Sequence, residues 1–323
     1  MNSPKKTVRI GVAGAGSMGR NHVRVAVANP LVECIGLFDP NEQQGNNVAK
    51  EFGCKYFNDF QAFLDQVDAV VLAAPTTLHF ELAKQILLQD KHCLIEKPIT
   101  VEISEAEELK AIAEERHLTL AVGHVERYNP VYPELQKILE DKEILAIKAN
   151  RLSYNTSRAN DVDVVLDLMI HDIDNVNCLV PGQLELVGAV GGNFYTNNSD
   201  YVTAIFKGAN GVVCDITASK ASQTKQRTIL ISCENCFINV DFLRKEIEVN
   251  RYAQGAYVSS NSDIKYKQES LVERVFVPNV EPLMAEHTDF AEAILFGRAP
   301  RVTAQDGIEA LKIAIGVQAQ CKN

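Results

Sequence analysis

The stretch VRIGVAGAGSMG, residues 8–19, contains the pattern that decides the fold. An apolar run suited to a buried strand ends in three glycines with the spacing GxGxxG, and a segment of helical character follows them. In such a strand–loop–helix unit the glycines permit a tight turn, close approach of the backbone to a pyrophosphate, and close packing of helix on strand. The N-terminus of the helix also favours a negatively charged group. The predicted cofactor contacts in this loop are Gly14, Gly16, Ser17, Met18 and Gly19.

An acidic residue follows the next predicted strand, VECIGLF, at the position that such folds use for the adenosine ribose. Asp39 stands twenty positions after Gly19. Its carboxylate is expected to accept hydrogen bonds from the ribose hydroxyls and to repel the additional phosphate of NADP, so the sequence predicts NAD as the cofactor. Pro40 leaves no arginine directly after the strand to hold that phosphate. The alternative interpretation is a glycine turn with a capping aspartate.

The pattern of apolar residues predicts two domains in a chain of 323 residues. Over the first 125 residues, nearly continuous apolar runs such as DAVVLAAP alternate with amphipathic segments, which is typical of a parallel sheet covered on both faces. From about residue 143 the strand-like runs lengthen and alternate in polarity, which indicates a largely antiparallel sheet. The predicted fold class is α/β. A Rossmann doubly wound parallel sheet forms the NAD-binding domain, residues 1–125. An α+β domain with a largely antiparallel open sheet is predicted for residues 126–323, with its C-terminal helices packing back toward the first domain.

The stretch CLIEKPIT, residues 93–100, ends a predicted strand of the parallel sheet with an acid, a base and a proline. Ligands of such sheets bind beyond the carboxyl ends of the strands, so Glu96 and Lys97 are expected beside the nicotinamide half of the cofactor. Pro98 cannot continue the strand, and it helps to fix the backbone of Lys97. A cationic lysine there can hold a substrate hydroxyl and tune its acidity as hydride leaves. The alternative is a solvated strand end.

A helical segment among the strands of the second half, DLMIHDID, places Asp167 and His171 four positions apart. Residues at this spacing share one face of an α-helix. An aspartate can orient a histidine, and an apolar environment can keep the imidazole neutral near pH 7. The alternative is an amphipathic helix with a satisfied, non-catalytic histidine. Asp172 and Asp174 are interpreted as solvated or capping residues, and no metal site is predicted because consecutive helical positions diverge in direction.

These motifs resemble those of the Gfo/Idh/MocA oxidoreductases. The resemblance rests on GVAGAGSMGRNH, FDPN, AAPTTLHFELA, EKPIT and DLMIHDID, and it extends to the C-terminal pattern EPLMAEHTDFAEAI. The family consists of dehydrogenases of sugars, polyols and sugar nucleotides. The resemblance implies that Lys97 is the catalytic lysine, that His171 is the general base that takes the hydroxyl proton, and that Asp167 supports the substrate and the base. It also implies cofactor contacts at Pro75, Thr76, His79 and Glu96. The resemblance further implies that the second domain binds substrate and mediates oligomerisation.

Within that family, ERYNP together with DVDVVLDLMIHDID is most similar to the sugar-nucleotide branch. Its members oxidise the 3-hydroxyl of UDP-N-acetylglucosamine, or of its uronic acid, and a partner aminotransferase can convert the ketosugar to an amino sugar. The resemblance therefore implies NAD-dependent oxidation of a sugar nucleotide. One alternative is a myo-inositol or simple sugar dehydrogenase of the same family. Another, of a different class, is a non-catalytic NAD-binding regulator.

Residues after the last strand of the cofactor domain, and residues before the DLMIHDID helix, are candidate substrate contacts. The segment GHVERYNP either lines the active site or forms a structural hinge. Arg151 and Arg158 could hold a diphosphate or carboxylate of the ligand, or could lie on the surface. The predicted substrate contacts are Arg127, Tyr128, Tyr154 and Arg158.

Composition argues against several classes of function. With 32 basic and 42 acidic residues the formal net charge is −10, which disfavours binding to nucleic acid or anionic membranes. No apolar run approaches the roughly 20 residues of a membrane span, so we expect the protein to be cytoplasmic. We also expect it to form a homodimer or homotetramer. The eight cysteines do not suggest a disulfide scaffold. Cys233 and Cys236 are predicted to face each other across a tight hairpin rather than to bind metal.

Overall fold

The computed structural model describes residues 7–154, 163–258 and 264–321. The chain divides into two compact units. The first consists of Met1–Tyr128 and Val280–Lys312, and the second of Asn129–Asn279 and Ile313–Asn323. No helix in the described ranges is long and apolar enough to cross a membrane.

The first unit is built on a six-stranded parallel sheet. Its strands are β1 (Val8–Ala13), β2 (Val32–Phe38), β3 (Lys55–Phe57), β4 (Ala69–Leu72), β5 (His92–Glu96) and β6 (Leu120–Gly123). They lie in the order β3-β2-β1-β4-β5-β6, which is that of a Rossmann fold, and the strand order reverses between β1 and β4. Every residue of β4 is buried, as expected for a parallel strand covered on both faces. The predicted doubly wound sheet is confirmed.

Seven helices accompany this sheet within the described part of the first unit. They are α1 (Ser17–Ala28), α2 (Glu42–Phe52), α3 (Phe60–Leu64), α4 (His79–Leu88), α5 (Ile103–Glu115), α8 (Pro282–Phe296) and the first half of α9 (Ala304–Cys321). The predicted first domain ended at residue 125. The observed unit continues to Tyr128 and also includes the later segment Val280–Lys312. The reason is that α8 belongs to the core of this unit, where Phe290 and Ala291 pack with apolar residues of β1 and α1.

The second unit is built on an eight-stranded sheet with the helices α6 (Val131–Leu139) and α7 (Ile170–Leu179). Its strands are β7 (Ile144–Leu152), β8 (Glu185–Gly192), β9 (Tyr201–Lys207), β10 (Val213–Ser219), β11 (Gln226–Cys233), β12 (Phe237–Asp241), β13 (Glu246–Val258) and β14 (Ile264–Val275). The order is β14-β13-β12-β11-β7-β10-β9-β8. Neighbours pair antiparallel except β7 and β10, which are parallel. The predicted, largely antiparallel sheet is therefore confirmed.

Candidate active site

The glycine loop between β1 and α1 has the shape of a dinucleotide-binding loop. Gly14 has a φ of +107°, which favours glycine, and a Cβ there would lie 2.5 Å from the carbonyl oxygen of Ala73. A Cβ on Gly19 would lie 1.9 Å from the carbonyl oxygen of Gly14, so only glycine lets α1 pack this close to the turn. A Cβ on Gly16, by contrast, would meet no atom within 4 Å. The loop thus leaves open space at the N-terminus of α1, which suits a pyrophosphate.

Asp39 lies directly after β2 and holds the glycine loop through backbone hydrogen bonds. Its Oδ2 accepts a hydrogen bond from the N–H of Ala15 at 2.6 Å, and its Oδ1 accepts one from the N–H of Asn41 at 2.7 Å. Each carboxylate oxygen has two lone pairs, so these contacts leave capacity for ribose hydroxyls. Ser17 and Met18 are exposed in the first turn of α1, and their contact with a cofactor stays a prediction.

Lys97 lies at the carboxyl edge of the six-stranded sheet, immediately after β5, and is half-buried. The preceding Glu96 is 8% exposed, and both of its oxygens contact the protein. Oε2 accepts a hydrogen bond from the backbone N–H of Lys97 at 3.1 Å, and Oε1 lies 2.8 Å from Nε2 of His22. Burial opposes ionisation, but the hydrogen bond from His22 and the charge of Lys97 lower the pKa of Glu96. Its predicted contact with the nicotinamide ribose stays a prediction.

The segment after β4 contains three further predicted cofactor contacts. Pro75 is exposed and Thr76 is half-buried at the same edge of the sheet. His79 is 1% exposed, with Nδ1 2.9 Å from the carbonyl oxygen of Pro98 and Nε2 2.9 Å from that of Ala74. Burial lowers the pKa of His79, although its two carbonyl contacts oppose that shift. The ring connects the segments that follow β4 and β5. A cofactor contact at these three positions stays a prediction.

Asp167 lies in a π-helical turn, Val165–Met169, that continues directly into α7. Such turns are rare and occur frequently at functional sites. Oδ2 of Asp167 lies 3.1 Å from Nζ of Lys220, and these side chains are 30% and 10% exposed. The backbone N–H of Lys220 donates to the carbonyl oxygen of Asp200 at 2.7 Å, which fixes the chain where it leaves β10. His171 is half-buried in the first turn of α7, so a carboxylate, an ammonium group and an imidazole belong to this part of the second unit.

Asp172 and Arg151 form a buried ion pair within the second unit. The guanidinium donates two hydrogen bonds to the carboxylate, at 2.8 and 2.9 Å, and both side chains are almost fully buried. The prediction that Asp172 and Asp174 are solvated is wrong, because each is only 2% exposed. The capping alternative for Asp174 stays a prediction. The expectation that Arg151 binds a ligand or lies on the surface is wrong as well. Its side chain lies on the buried face of β7, together with Ile147 and Ala149, and turns toward α7.

Arg127 and Tyr128, two predicted substrate contacts, take part in buried polar contacts of the first unit. Arg127 forms an ion pair with Asp306 at 3.0 Å, and the Tyr128 hydroxyl donates to Asp289 at 2.9 Å. Burial, together with the nearby carboxyl groups, raises the pKa of Tyr128. These contacts favour the structural alternative for GHVERYNP, and the substrate role stays a prediction.

The remaining substrate candidates lie near the end of β7. Tyr154 is 51% exposed, and Arg158 lies outside the described residues. The N–H of Ser153 donates to the carbonyl oxygen of Ser219, so Tyr154 lies at the sheet edge where Lys220 leaves β10. Lys220 is the residue of this region that the sequence-based prediction missed. Its signal was a single cation directly after the strand-like run VVCDITAS.

The CxxC pair forms the predicted hairpin. Cys233 ends β11, and its N–H donates to the carbonyl oxygen of Cys236 just before β12 begins. Within the described ranges, no group of three or more His, Cys, Asp or Glu side chains could hold a metal ion.

Glu286 on α8 is a buried carboxyl group within the first unit. It is 0% exposed, and neither carboxyl oxygen has a hydrogen-bond partner among the described residues. Burial, reinforced by the negative charges of Glu96 and Asp289, raises the pKa of Glu286 well above its ordinary value. At pH values above the ordinary pKa of 4.5, Glu286 therefore keeps its proton in the folded protein and releases it in the unfolded chain. Because the pKa is raised on folding, this group makes the free energy of unfolding fall as the pH rises above the unfolded value, by up to about 1.4 kcal/mol per pH unit.

We expect Glu286→Gln to remove this loss of stability, because the amide has the shape of the protonated carboxyl group and does not ionise. The free energy of unfolding, measured by urea denaturation at several pH values, should change in favour of the variant as the pH rises above 4.5, the ordinary pKa of a glutamate side chain. The exposed Glu115 on α5 provides the control, and Glu115→Gln should show no such trend. If the free energies of unfolding of Glu286→Gln and the unmodified protein differed by the same amount at every pH, a protonated Glu286 would be contradicted.

The Rossmann sheet, the glycine loop with Asp39, and the lysine after β5 define a dinucleotide-binding oxidoreductase. Comparison with known proteins agrees. Residues 8–124 match the family model described as "Oxidoreductase family, NAD-binding Rossmann fold", and residues 141–238 match the model of the GFO/IDH/MocA C-terminal domain. The chain belongs to the Gfo/Idh/MocA oxidoreductase family, as the sequence motifs predicted.

Two relatives are similar over nearly the full length. The UDP-N-acetylglucosamine 3-dehydrogenase of Acidithiobacillus ferrooxidans is 33% identical over 319 residues, which is 97% of this chain and 98% of the relative. A solved structure of that enzyme superposes with a TM-score of 0.89 at 32% identity, covering 98% of both chains. A 3-ketoreductase from Actinomadura kijaniata, solved with TDP-benzene and NADP, has a TM-score of 0.83 at 21% identity and 98% coverage of both chains. At that lower identity the likeness is one of fold.

Proposed function

We propose that this protein is an NAD-dependent dehydrogenase that oxidises the 3-hydroxyl of UDP-N-acetylglucosamine to a ketosugar. The observation that carries the proposal is the 33% identity to a UDP-N-acetylglucosamine 3-dehydrogenase over 97% of this chain and 98% of that enzyme. Identity over both domains supports a shared substrate more strongly than a likeness of the cofactor domain alone, because one fold hosts many activities.

The glycine loop fits a dinucleotide. The space in front of Gly16, the close packing at Gly14 and Gly19, and the acid at the end of β2 are the features such a cofactor requires. In this proposal the loop and the N-terminus of α1 hold the pyrophosphate, and Asp39 holds the adenosine ribose. Bound NAD supplies the hydride acceptor.

Three side chains, supported by Lys220, carry the remaining chemistry in this proposal. The ammonium group of Lys97 donates a hydrogen bond to the substrate hydroxyl and stabilises negative charge that develops on its oxygen. His171 takes the hydroxyl proton as general base, and such a base contributes about 10²–10⁴-fold to the rate. Asp167 supports the substrate and the base. Lys220, paired with Asp167, keeps a positive charge next to that carboxylate.

The test is the formation of NADH, followed by its absorbance, after the protein is mixed with NAD and UDP-N-acetylglucosamine. A ketone trap is added because the oxidation is expected to be unfavourable at equilibrium. NADH formation supports the proposal, and mass spectrometry then locates the ketone. Turnover of myo-inositol or free sugars alone would assign the protein to the polyol and sugar dehydrogenases. Binding of NAD without turnover of any of these would favour a regulator.

Asp39 is expected to set the preference for NAD over NADP. In Asp39→Ala the repulsion of the additional phosphate disappears, so the ratio of kcat/KM for NAD to that for NADP should fall by about 10-fold or more, the value of one charged contact. Steady-state kinetics with both cofactors measure the ratio. The exposed Glu42 nearby provides the control, and Glu42→Gln should leave the ratio unchanged. An unchanged ratio in Asp39→Ala would refute this role.

We also propose that the protein assembles as a homodimer or homotetramer through the eight-stranded sheet. Apolar side chains on neighbouring strands of this sheet are exposed in the single chain. They are Val187, Val190, Ile205 and Val213, on β8, β9 and β10. Contiguous apolar surface of this kind marks an interaction site.

A ketosugar product would suit an aminotransferase as the next enzyme.

A further inference from the structure

Three buried side chains of the first unit form a continuous line of hydrogen-bond contacts that ends at Lys97. Nε2 of His287 lies 2.9 Å from Nδ1 of His22, and Nε2 of His22 lies 2.8 Å from Oε1 of Glu96. The other oxygen of Glu96 accepts the backbone N–H of Lys97 at 3.1 Å. Both histidines are 0% exposed and Glu96 is 8% exposed. We call His287, His22 and Glu96 the buried relay.

The buried relay joins three elements that are distant in the sequence. His22 lies on α1, His287 on α8, and Glu96 ends β5. The two imidazole rings stack with their centroids 5.2 Å apart and their planes 29° apart. Burial of ionisable groups costs more than burial of apolar groups of the same size, so packing alone does not account for three of them in contact.

The direction of the hydrogen bond to Glu96 follows from chemistry. An ionised carboxylate only accepts hydrogen bonds, so Nε2 of His22 carries the hydrogen and donates it to Glu96. One hydrogen then lies between Nδ1 of His22 and Nε2 of His287. Burial, and then the proximity of His22, lower the pKa of His287 well below its ordinary value, so this ring is neutral. The other charged or titratable groups near the relay are Lys97, His79, Glu286 and Asp289.

We propose that His22 is a positioning residue for Lys97: its Nε2–H fixes the carboxylate of Glu96, and Glu96 fixes the backbone of the lysine. This inference rests on the catalytic role of Lys97 in the proposed function. It assigns Glu96 a task within the protein, whereas the family resemblance implies only proximity to the nicotinamide ribose. A loss of the donor on His22 should therefore affect the chemical step rather than the binding of NAD.

Two substitutions of His22 separate this role from a general need for the ring. In His22→Gln the amide nitrogen reaches the position of Nε2 and keeps the donor to Glu96, whereas the shorter His22→Asn loses it. We expect kcat to fall by about 10–100-fold in His22→Asn and to stay within about threefold of the unmodified protein in His22→Gln. The KM for NAD should change little in either variant. Equal kcat values for the two variants, or an effect confined to the KM for NAD, would overturn the proposal.

A second measurement does not depend on activity. Hydrogen exchange of the Lys97 amide, followed by NMR in the protein without substrate, reports its hydrogen bond to Glu96. Exchange should be faster in His22→Asn than in His22→Gln or the unmodified protein, and equal exchange in all three would overturn the proposal. If exchange responds as expected but no form turns over any substrate, the positioning contact stands and the proposed function is what has failed. Should His22→Asn not fold, His22→Leu removes the same donor with an apolar side chain of similar size. Faster exchange in that variant supports the proposal, and unchanged exchange overturns it.

Discussion

Lys97→Met is expected to lower the rate of NADH formation from NAD and UDP-N-acetylglucosamine by about 10²–10⁴-fold. Methionine is similar in length and retains the apolar stem, but it carries no charge and no hydrogen-bond donor. The variant therefore loses the group that holds the substrate hydroxyl and stabilises charge on its oxygen. Binding of NAD, measured by calorimetry, should change little, because the pyrophosphate and the adenosine ribose are assigned to the glycine loop and Asp39. The loss should appear in kcat.

The control for Lys97→Met is another lysine of the same unit. Lys50 is exposed in the last turn of α2, so Lys50→Met removes the same charge from the surface and should leave both kcat and the binding of NAD unchanged. If Lys97→Met retained most of its turnover, Lys97 would be a solvated residue at the end of β5. The hypothesis that the EKP motif is catalytic would then be wrong. If it lost NAD binding instead, Lys97 would be a cofactor contact.

The Rossmann half of the fold was predictable because its signals are local. The glycine spacing requires a particular turn. The strand before this turn and the helix after it lie within one segment of 21 residues, Val8 to Ala28. Apolar runs between amphipathic segments then predict parallel strands. The position of Lys97 followed from the same logic, because the carboxyl ends of parallel strands meet at one edge of the sheet. The π-helical turn at Asp167 had no such signal, since an α-helical spacing described the segment equally well.

The buried polar contacts were not predictable, because they join residues that are far apart in sequence. His22 and Glu96 are separated by 74 positions, and His22 and His287 by 265. In the sequence each is one polar residue among many, and only the packing of α1, β5 and α8 brings them into contact. The sequence placed α8 in the second domain with its C-terminal helices packing back toward the first, and contacts group α8 with the first unit. An amphipathic helix by itself does not indicate which sheet it covers.

Arg151 is a different case, since a local signal existed and was overlooked. In strand β7 the residues at positions 147, 149 and 151 lie on one face, and the first two are Ile147 and Ala149. Alternation along a strand places Arg151 on the same buried face. A buried arginine requires an acid, and that acid is Asp172, which the sequence-based interpretation took as a solvated or capping residue. A charged residue that shares a strand face with apolar residues therefore indicates an internal ion pair more strongly than a ligand contact.

Arg151→Met is expected to lower the free energy of unfolding by about 3–5 kcal/mol, because it leaves the carboxylate of Asp172 buried without its main partner. Urea denaturation measures this loss. Arg251 and Glu273 on β13 and β14 form an exposed pair, with side chains 44% and 45% exposed, and they provide the control. Arg251→Met should cost less than about 1 kcal/mol, because solvent screens that pair.

The cost of Arg151→Met should arise from the uncompensated charge and not from the loss of a favourable pair. Desolvation of both ions offsets much of their mutual attraction, so replacing both with apolar residues of similar volume is often nearly neutral. We therefore expect Arg151→Met combined with Asp172→Leu to recover most of the stability that Arg151→Met alone loses. A double variant as unstable as the single one would show instead that the ion pair itself, through its two hydrogen bonds between β7 and α7, stabilises the second unit.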